Sequence, residues 1–441
     1  MNKVSPVNYV VNPGGILRGD IQVPGDKSIS HRAVMLGAVA SGLTQISGFL
    51  AGEDTLATIA AFRAMGVDID HEGTEVRIKG TGLYGLSAPA SPLDLGNSGT
   101  STRLLAGLLA GQKFGSELRG DASLMKRPMQ RVIEPLQKMG ADISCSERGT
   151  LPILIRGGNT LQGIEYHTPV ASAQLKSCLL LAGLYTRDRT CVHEPVATRD
   201  HTERMLQYFG GNLEKNNNTV CITGGRELQA AKISIPADIS SAAFFMVGAC
   251  ITEGSDITLL NTGINPTRDA VIHILQAMGA DISLKNQRNI SGEPVADIHV
   301  RHSHLKGIEI PVNQVASAID EFPAIMIAAA CATGKTILRG AEELRVKESD
   351  RIRSISEGLR VNNINVVTHD DGMEVTGGKL AGGTVNSYTD HRIAMAFAMA
   401  GLRSEKPVRI LDCANVNTSF PGFVELASHA GLQITLETSC A

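Results

Sequence analysis

The chain has 441 residues, a formal net charge of −3 and no tryptophan. This length is enough for two domains, each with a core of its own. The near-neutral charge excludes a global electrostatic attraction to nucleic acid or to a membrane surface. Only 4% of the residues are aromatic, so few side chains are available for base stacking. We therefore expect neither nucleic acid nor a membrane as a partner.

The eight cysteines form no CxxC pair, and three of them, Cys178, Cys250 and Cys331, fall within apolar helical segments. Cysteines in such positions are typical of reduced core residues. The first residues lack the apolar core of a signal peptide. We expect a cytoplasmic protein with reduced cysteines, no metal site and no cofactor.

A pattern that recurs six times organises the chain from its first strand to its last. In each copy a helical stretch ends at a turn residue, and a β-branched segment follows. The turns predict left-handed helix C-caps, a conformation that suits glycine and, as its usual substitute, asparagine. A period of this length indicates a repeat architecture. The turn residues are 68 to 84 positions apart: Gly66, Gly140, Gly210, Gly279, Asn363 and Gly431.

Each copy is predicted to be a β-α-β-α-β unit, with a further strand possible after the turn. A copy opens with a short extended segment, such as Asp20–Gly25 or Lys232–Asp238. Strands that alternate with helices favour a layered α/β fold. The first helix of most copies is apolar on nearly every face, which predicts a buried helix. The natural division is three repeats per domain, with a boundary near Pro236.

Polar clusters stand where most of these buried helices begin. Capping alone accounts for Ser, Thr, Asn and Asp at such positions, and we assign the Asp238 cluster to capping. The other clusters also carry Lys, Arg, Gln or His, which a cap does not need. A helix N-terminus is an anion site, so several of them together would bind a polyanionic ligand. The clusters lie at 27–32, 97–103, 172–174, 238–241, 317–321 and 389–392.

The chain contains six motifs in the order PGDKSISHRAVMLGAVASG, LGNSGTSTRLLAGLLAG, LMKRPMQRVIEPL, RVKESDRI, TDHRIAMAFAMAG and NTSFPGF. Together they closely resemble the 3-phosphoshikimate 1-carboxyvinyltransferases (EPSP synthases) of the enolpyruvyl transferase family. The resemblance covers essentially the whole chain. It implies an inside-out barrel fold with two domains, each of three β-α-β-α-β-β units. The first domain would span 25–236, the second would combine 1–24 with 237–441, and the active site would lie in the cleft between them.

The resemblance implies two substrates, phosphoenolpyruvate and shikimate 3-phosphate, each with a phosphate and a carboxylate group. Guanidinium groups bind such anions as planar forks. By similarity, the phosphoenolpyruvate ligands would be Lys27, Asn97, Gly99, Arg127, Gln174, Arg351 and Arg392. The shikimate 3-phosphate ligands would be Lys27, Ser28, Arg32, Ser172, Ala173, Gln174, Asp320 and Lys347.

The implied reaction is an addition followed by an elimination, and it needs an acid, a base and stabilisation of charge. By similarity, Asp320 is the base near the sugar 5-hydroxyl and Glu348 shuttles the proton at the methylene carbon. Lys27 and His391 would act on the leaving phosphate. The family also implies a place in the shikimate pathway of aromatic amino acid biosynthesis, and inhibition by glyphosate. We expect a monomer.

The chain departs from the commonest family pattern in two places. Thr418 stands where many members have a lysine that binds phosphoenolpyruvate, so this cation is missing or is supplied from elsewhere. Residues 198–201 read Thr-Arg-Asp-His where many members have a Ser-Lys-Pro-Tyr stretch, and Arg199 lies where the family has a further substrate contact. Both changes are typical of a second sequence class of the family. We leave Thr418 out of the predicted site.

Two other functions are compatible with parts of the pattern. The sister enzyme, UDP-N-acetylglucosamine enolpyruvyl transferase, shares the fold but characteristically has a cysteine in the region that corresponds to residues 112–127, where this chain has none. A non-catalytic repeat scaffold could bind anions but would not need Asp320 and Glu348 beside the cations. A phosphate-release assay with both substrates would separate the three functions.

Overall fold

The computed structural model describes residues 7–438. The chain forms two compact units. The unit that we call the inserted unit comprises Gly25–Ile235 together with Asn289–Glu293. The unit that we call the terminal unit comprises the amino-terminal segment up to Pro24, Pro236–Arg288 and the chain from Pro294 onward.

The chain begins with two strands of the terminal unit and then builds the inserted unit. The first two strands are β1 (Val7–Val11) and β2 (Arg18–Ile21). The helices of the inserted unit are α1 (Lys27–Val39), α2 (Glu53–Ala64), α3 (Gly99–Ala110), α4 (Gln130–Lys138), α5 (Ala173–Gly183) and α6 (His201–Tyr208). Its strands are β3 (Ser41–Ser47), β4 (Asp68–Glu72), β5 (Glu75–Thr81), β6 (Leu93–Asp94), β7 (Ser116–Arg119), β8 (Asp142–Ser144), β9 (Ile153–Arg156), β10 (Glu165–His167), β11 (Arg189–His193), β12 (Asn212–Asn216), β13 (Thr219–Thr223) and β14 (Lys232–Ser234).

The rest of the chain completes the terminal unit, apart from a hairpin tip at 289–293. Its helices are α7 (Ile239–Ile251), α8 (Ala270–Ala277), α9 (Val312–Val315), α10 (Phe322–Cys331), α11 (Arg351–Val361), α12 (His391–Ala400) and α13 (Phe423–His429). The strands that follow β14 are β15 (Asp256–Gly263), β16 (Asp281–Ile290), β17 (Glu293–Arg301), β18 (Lys335–Leu338), β19 (Asn365–His369), β20 (Gly372–Thr376), β21 (Gly383–Asn386), β22 (Val408–Leu411) and β23 (Ile434–Thr438).

The repeats fold as small sheets, each packed on two helices. In the inserted unit the sheet orders are β14-β3-β5-β4, β6-β7-β9-β8 and β10-β11-β13-β12. The second of these follows the order β-α-β-α-β-β along the chain, with β6 parallel to β7 and the later pairs antiparallel. In the terminal unit the orders are β16-β17-β15-β2, β18-β20-β19 and β21-β22-β1-β23. The predicted α/β repeat fold is confirmed.

The strands that open the first and fourth repeats are exchanged relative to their order in the sequence. The segment near Asp20, predicted to open the first repeat, forms β2 and pairs in parallel with β15 of the fourth repeat. The segment near Lys232, predicted to open the fourth repeat, forms β14 and pairs in parallel with β3 of the first. The assignment of these two segments to the repeats that follow them was therefore wrong. The two extended segments are alike in sequence pattern, so nothing local indicates which of the two repeats each segment joins.

The six turn residues of the repeats adopt the predicted backbone conformation. The glycines have φ between 84° and 112°, and Asn363 has φ 61°. These values lie in the left-handed region, where a glycine avoids the penalty that a Cβ would incur. The predicted helix C-caps are confirmed, and each of them directs the chain from its second helix into the next strand.

The first helices of the repeats are buried, as their apolar sequences predicted. Helix α7 has every residue buried, and α3 and α12 are buried along almost their whole length. Each unit has its own cluster of buried apolar side chains around such helices. The polar clusters lie at the first turns of these buried helices, where the apolar core ends. Among the described residues, no helix combines the length and apolarity needed to cross a bilayer.

The cysteines differ from expectation at one pair. Cys191 on β11 and Cys221 on β13 are directly opposite each other and form a disulfide. The expectation that all cysteines are reduced was therefore wrong for these two, because cross-strand register brings together residues that are 30 positions apart. Cys145, Cys178, Cys250, Cys331 and Cys413 are free thiols, and Cys440 lies outside the described residues.

Candidate active site

Lys27, expected to contact both substrates, is the first residue of α1. Asp26 caps this helix by accepting a hydrogen bond from the Ile29 amide at 2.8 Å. The Lys27 ammonium forms an ion pair with Asp54 in the first turn of α2. The Asp54 side chain is only 7% exposed, while that of Lys27 is 20% exposed. The ammonium therefore has a fixed anchor and an accessible surface.

Arg32 lies one turn further along α1 and is held by hydroxyl groups from two other helices. Its Nε donates to Thr202 Oγ1 on α6 at 2.6 Å, and its Nη2 donates to Ser177 Oγ on α5 at 3.0 Å. Nη1 donates to the Ser28 carbonyl at 2.9 Å. Burial, partly offset by nearby carboxylates, lowers the pKa of Arg32 to about 10, which leaves it charged at neutral pH. Arg32 thus joins three helices at the predicted shikimate 3-phosphate site.

A buried ion cluster that the sequence did not single out lies beside Arg32. Lys176 Nζ on α5 is 2.7 Å from Glu194 and 2.8 Å from Glu203, and all three side chains are almost fully buried. Burial alone would lower the pKa of Lys176, but the two carboxylates raise it. The lysine is therefore charged, and its hydrogen bond to the Thr198 carbonyl at 3.3 Å connects α5 to the chain just before Arg199.

The first turn of α5 carries three predicted ligands. Ser172 caps the helix by accepting from the Leu175 amide at 3.4 Å, and Ala173 is the first helical residue. Gln174 has both ends of its amide engaged, because Oε1 accepts from Arg103 Nη1 at 2.6 Å and Nε2 donates to Thr100 Oγ1 at 3.1 Å. Arg103 was part of a predicted polar cluster but had no assigned role. It orients Gln174.

Arg127 and Asn97 form a second bonded chain at the start of α3. Arg127 Nη2 donates to Asn97 Oδ1 at 2.5 Å, and Asn97 Nδ2 donates to Asp121 Oδ2 at 2.7 Å. Asp121, which the sequence did not indicate, fixes this chain because its other oxygen accepts two main-chain amides. A Cβ added at Gly99 would lie 3.0 Å from Arg103 Nη1 and 3.3 Å from Arg127 Nη1. Gly99 therefore lets two guanidinium groups approach the main chain.

His31 connects the beginnings of the helices that carry these groups. Its Nδ1 lies 2.8 Å from Thr58 Oγ1 on α2 and 3.1 Å from Ser101 Oγ on α3. Burial, together with the charges of Lys27 and Arg32, lowers its pKa well below the usual value. His31 is therefore a neutral, internal hydrogen-bonding group.

In the terminal unit, Asp320 lies in the turn before α10 and faces three cations. Its Oδ1 is 3.3 Å from Arg351 Nη1 and 3.7 Å from Lys347 Nζ, and its Oδ2 is 3.9 Å from Arg392 Nη2. The side chain is 13% exposed. The Asp320 carboxylate is therefore close to positive charge and remains accessible, as the predicted role of a base near a hydroxyl requires.

Arg351 begins α11 and binds three carboxylates. Its Nη2 donates to Glu348 Oε2 at 2.6 Å, and its Nε donates to Asp390 Oδ2 at 2.8 Å, in addition to the Asp320 contact. Burial by itself would lower the pKa of Arg351, but Asp390, Glu348 and Asp320 raise it above the usual range. The predicted acid and base, Glu348 and Asp320, are thus held by one buried guanidinium.

Arg392 and His391 begin α12, whose cap is Asp390. Asp390 accepts from the Arg392 amide at 3.0 Å while it also binds Arg351, a double role that the sequence did not reveal. Arg392 Nη1 donates to the Asp320 carbonyl at 2.9 Å. His391 is buried. The structure therefore brings Asp320, Lys347, Glu348, Arg351 and Arg392 together, with His391 next to Arg392 in sequence.

Thr418, which replaces the expected lysine, ends a short 3₁₀ helix. Its hydroxyl donates to the Asn415 carbonyl at 2.8 Å, so the side chain stabilises its own turn. No group of His, Cys, Asp and Glu among the described residues has the arrangement of a metal site.

Known proteins are similar to this chain along nearly its whole length. A sequence model of the family described as EPSP synthase (3-phosphoshikimate 1-carboxyvinyltransferase) matches residues 11–426. A relative named 3-phosphoshikimate 1-carboxyvinyltransferase from Alkalilimnicola ehrlichii is 61% identical over 432 residues, 97% of each chain. One of the same name from Methylococcus capsulatus is 60% identical over 430 residues, 97% of this chain and 98% of the relative.

A solved structure of EPSP synthase from Acinetobacter baumannii is also similar. It superposes with a TM-score of 0.89 at 53% identity, and the match covers 98% of this chain and 100% of the other. The match therefore holds along nearly the entire length in both sequence and fold. The chain belongs to the EPSP synthase (3-phosphoshikimate 1-carboxyvinyltransferase) family.

Proposed function

We propose that the residues described above transfer the enolpyruvyl group of phosphoenolpyruvate to the 5-hydroxyl of shikimate 3-phosphate, the reaction of the family, in the shikimate pathway. The observation that carries the assignment of roles is the contact of Asp320 and Glu348 with one buried guanidinium, Arg351. Two carboxylates held this way can each exchange a proton while the arginine keeps its charge for an anionic ligand.

In the addition step, Asp320 removes the proton of the 5-hydroxyl while the hydroxyl oxygen attacks C2 of phosphoenolpyruvate. Glu348, the less buried of the two carboxyl groups, delivers a proton to the methylene carbon. In the elimination step the C2–phosphate oxygen bond breaks, and Glu348 takes back a proton from the same carbon. Lys27 and His391 stabilise or protonate the phosphate that leaves.

The remaining predicted residues bind the substrates. Shikimate 3-phosphate would be bound by Arg32, whose orientation three hydrogen bonds fix, and by the first turn of α5. Phosphoenolpyruvate would be bound by Arg127 beside Gly99, and by Arg351 and Arg392. A fixed guanidinium loses less conformational entropy on binding than a mobile one, which supports these assignments. Thr418 supplies no cation, so these arginines and Lys27 carry the anion binding.

The proposed phosphoenolpyruvate ligands come from both units, with Lys27 and Arg127 in the inserted unit and Arg351 and Arg392 in the terminal unit. We also propose that the enzyme acts as a monomer in the cytoplasm. Five free cysteines among the described residues support a reducing compartment, and the Cys191–Cys221 disulfide argues against it. Sedimentation tests whether the enzyme is a monomer. Titration of thiols in protein purified without reductant tests whether its cysteines are reduced.

A phosphate-release assay tests the proposed reaction. Phosphate should appear only when phosphoenolpyruvate and shikimate 3-phosphate are both present, and UDP-N-acetylglucosamine should not replace the latter. Asp320→Ala should bind both substrates and lower kcat by roughly 10²–10⁴, as loss of a general base does. Asp281→Asn, at an exposed ion pair with Arg301, is the matched control. Near wild-type kcat in Asp320→Ala would remove Asp320 from this role.

A further inference from the structure

Glu321, the residue that follows Asp320, has a fully buried carboxylate between two arginines. Its side chain is 0% exposed, and Oε1 lies 3.6 Å from Arg268 Nη2 and 3.7 Å from Arg392 Nη1. The other oxygen, Oε2, is buried and accepts no hydrogen bond from any described residue. A carboxylate this deep needs opposite charge nearby, and the two arginines supply it.

Arg268 has no part in the predicted site, yet it is aligned with Glu321 by a third group. It lies in the turn before α8 with its side chain 3% exposed, and its Nη2 donates to Ser240 Oγ at 2.5 Å. The Ser240 hydroxyl in turn donates to Glu321 Oε1. Asp238, the cap of α7, lies 3.5 Å from the same guanidinium. The first turn of α7 thus holds Arg268 and Glu321 in fixed positions.

Arg268, Glu321 and Arg392 form a row of alternating charges. Of the three, Arg392 is the residue that the proposed function assigns to phosphoenolpyruvate. Its Nη1 donates to the Asp320 main-chain carbonyl and lies near Glu321, so two consecutive residues hold one edge of the guanidinium. Because Arg268 shares the Glu321 carboxylate, that carboxylate neutralises Arg392 only in part. Arg392 therefore keeps a fixed orientation and an available positive charge.

We propose that Glu321, held by Ser240 and Arg268, is a positioning residue that fixes Arg392 for the anionic groups of phosphoenolpyruvate. This inference rests on the proposed function. It assigns to Glu321 no contact with substrate. A change at Glu321 should act through Arg392 alone. It should therefore weaken the binding of phosphoenolpyruvate and leave the binding of shikimate 3-phosphate unchanged.

The test is a double-mutant cycle on steady-state kinetics of the full-length enzyme. Glu321→Gln keeps the shape and removes the charge, so the KM for phosphoenolpyruvate should rise about tenfold, as expected when one charged contact no longer orients a binding group. The KM for shikimate 3-phosphate should stay within about twofold. In an Arg392→Met background, Glu321→Gln should cause no further rise. Glu374→Gln, which removes a carboxylate from an exposed pair with Lys335, is the control and should change neither KM.

Two results would overturn the inference: an unchanged KM for phosphoenolpyruvate in folded Glu321→Gln, or an equal further rise in the Arg392→Met background. If Glu321→Gln does not fold, Ser240→Ala decides, because it removes only the hydroxyl that joins Glu321 to Arg268. It should raise the KM for phosphoenolpyruvate selectively, and an unchanged value would refute the proposal. Wild-type enzyme without phosphate release from the two substrates would instead refute the proposed function itself.

Discussion

Arg351 and Asp390 form a two-point ion pair in which Nε and Nη2 of the arginine reach the two carboxylate oxygens at 2.8 and 3.3 Å. Their side chains are 1% and 0% exposed. Asp390 also caps α12, so one carboxylate connects the beginnings of α11 and α12. The proposed acid and base, Glu348 and Asp320, both contact Arg351, and Asp390 caps the helix that carries the proposed ligand Arg392.

Replacing Asp390 with Asn should lower the free energy of unfolding by about 3 kcal/mol or more, because it leaves a buried guanidinium without its main partner. Urea unfolding measures this change. Asp281→Asn, at the exposed pair with Arg301, should lower it by less than about 1 kcal/mol. Similar losses in the two variants would mean that the buried pair adds little to stability.

The hydroxyl groups that hold Arg32 should matter for one substrate only. Thr202→Val and Ser177→Ala each remove an acceptor from the buried guanidinium, so each should raise the KM for shikimate 3-phosphate by about tenfold. Thr44→Val is the control, since the buried Thr44 hydroxyl has no hydrogen-bond partner among the described residues. Steady-state kinetics with each substrate varied would check this. An equal effect on both substrates would indicate a general loss of structure.

Gly99 should determine sensitivity to glyphosate, which carries a phosphonate, a carboxylate and an ammonium group. We expect inhibition of the wild type that is competitive with phosphoenolpyruvate. The methyl group of Gly99→Ala would press on Arg103 and Arg127, so the inhibition constant should rise about tenfold or more. Gly378→Ala, where an added Cβ meets only Ile364 at 3.5 Å, is the control. An unchanged inhibition constant would show that Gly99 does not line the inhibitor site.

His31 should make the protein less stable in acid. Its folded pKa lies well below the ordinary 6.5, so between these two values the unfolded chain binds more protons than the folded chain. Stability is therefore fully present above pH 6.5 and decreases as the pH falls below it, by up to about 1.4 kcal/mol per pH unit. In His31→Gln this component should be absent. Urea unfolding between pH 4.5 and 7.5 measures it, with the exposed His273→Gln as control, and parallel curves for wild type and His31→Gln would contradict the expectation.

The parts of the fold that the sequence predicted are those with local causes. Gly66 and Asn363 mark turns because the left-handed conformation selects their residue types, and apolar helices such as α7 are buried because no face is polar. The exchange of β2 and β14 was not predictable in this way, since the two segments have equivalent patterns and their partners lie far along the chain.

The residues of the candidate site also fall into a group that the sequence indicated and a group that it did not. Arg351, which lies in a motif, and Asp320, which lies in a polar cluster, were found because the family resemblance names them. Asp121 and Arg268 were missed, and Glu321 was part of a polar cluster but had no assigned role, because each contacts other side chains of the site and was predicted to contact no substrate. Arg268 is the extreme case, because it lies in a turn without any motif and its role depends on residues from two other elements.

The pairing of β1 with the last two strands of the chain's described part has a consequence for synthesis on the ribosome. Strand β1 emerges first, but its partners are β22 and β23, and the contact between Asn8 and Asp412 spans 404 residues. At ordinary translation rates this interval is about 20 to 80 seconds. The inserted unit has its strands between Gly25 and Ile235 and can form its sheets during that time. Until the last strand is made, the nascent chain exposes an apolar segment, Val7–Val11, with unpaired main-chain groups, a template for wrong pairing that chaperones would have to cover.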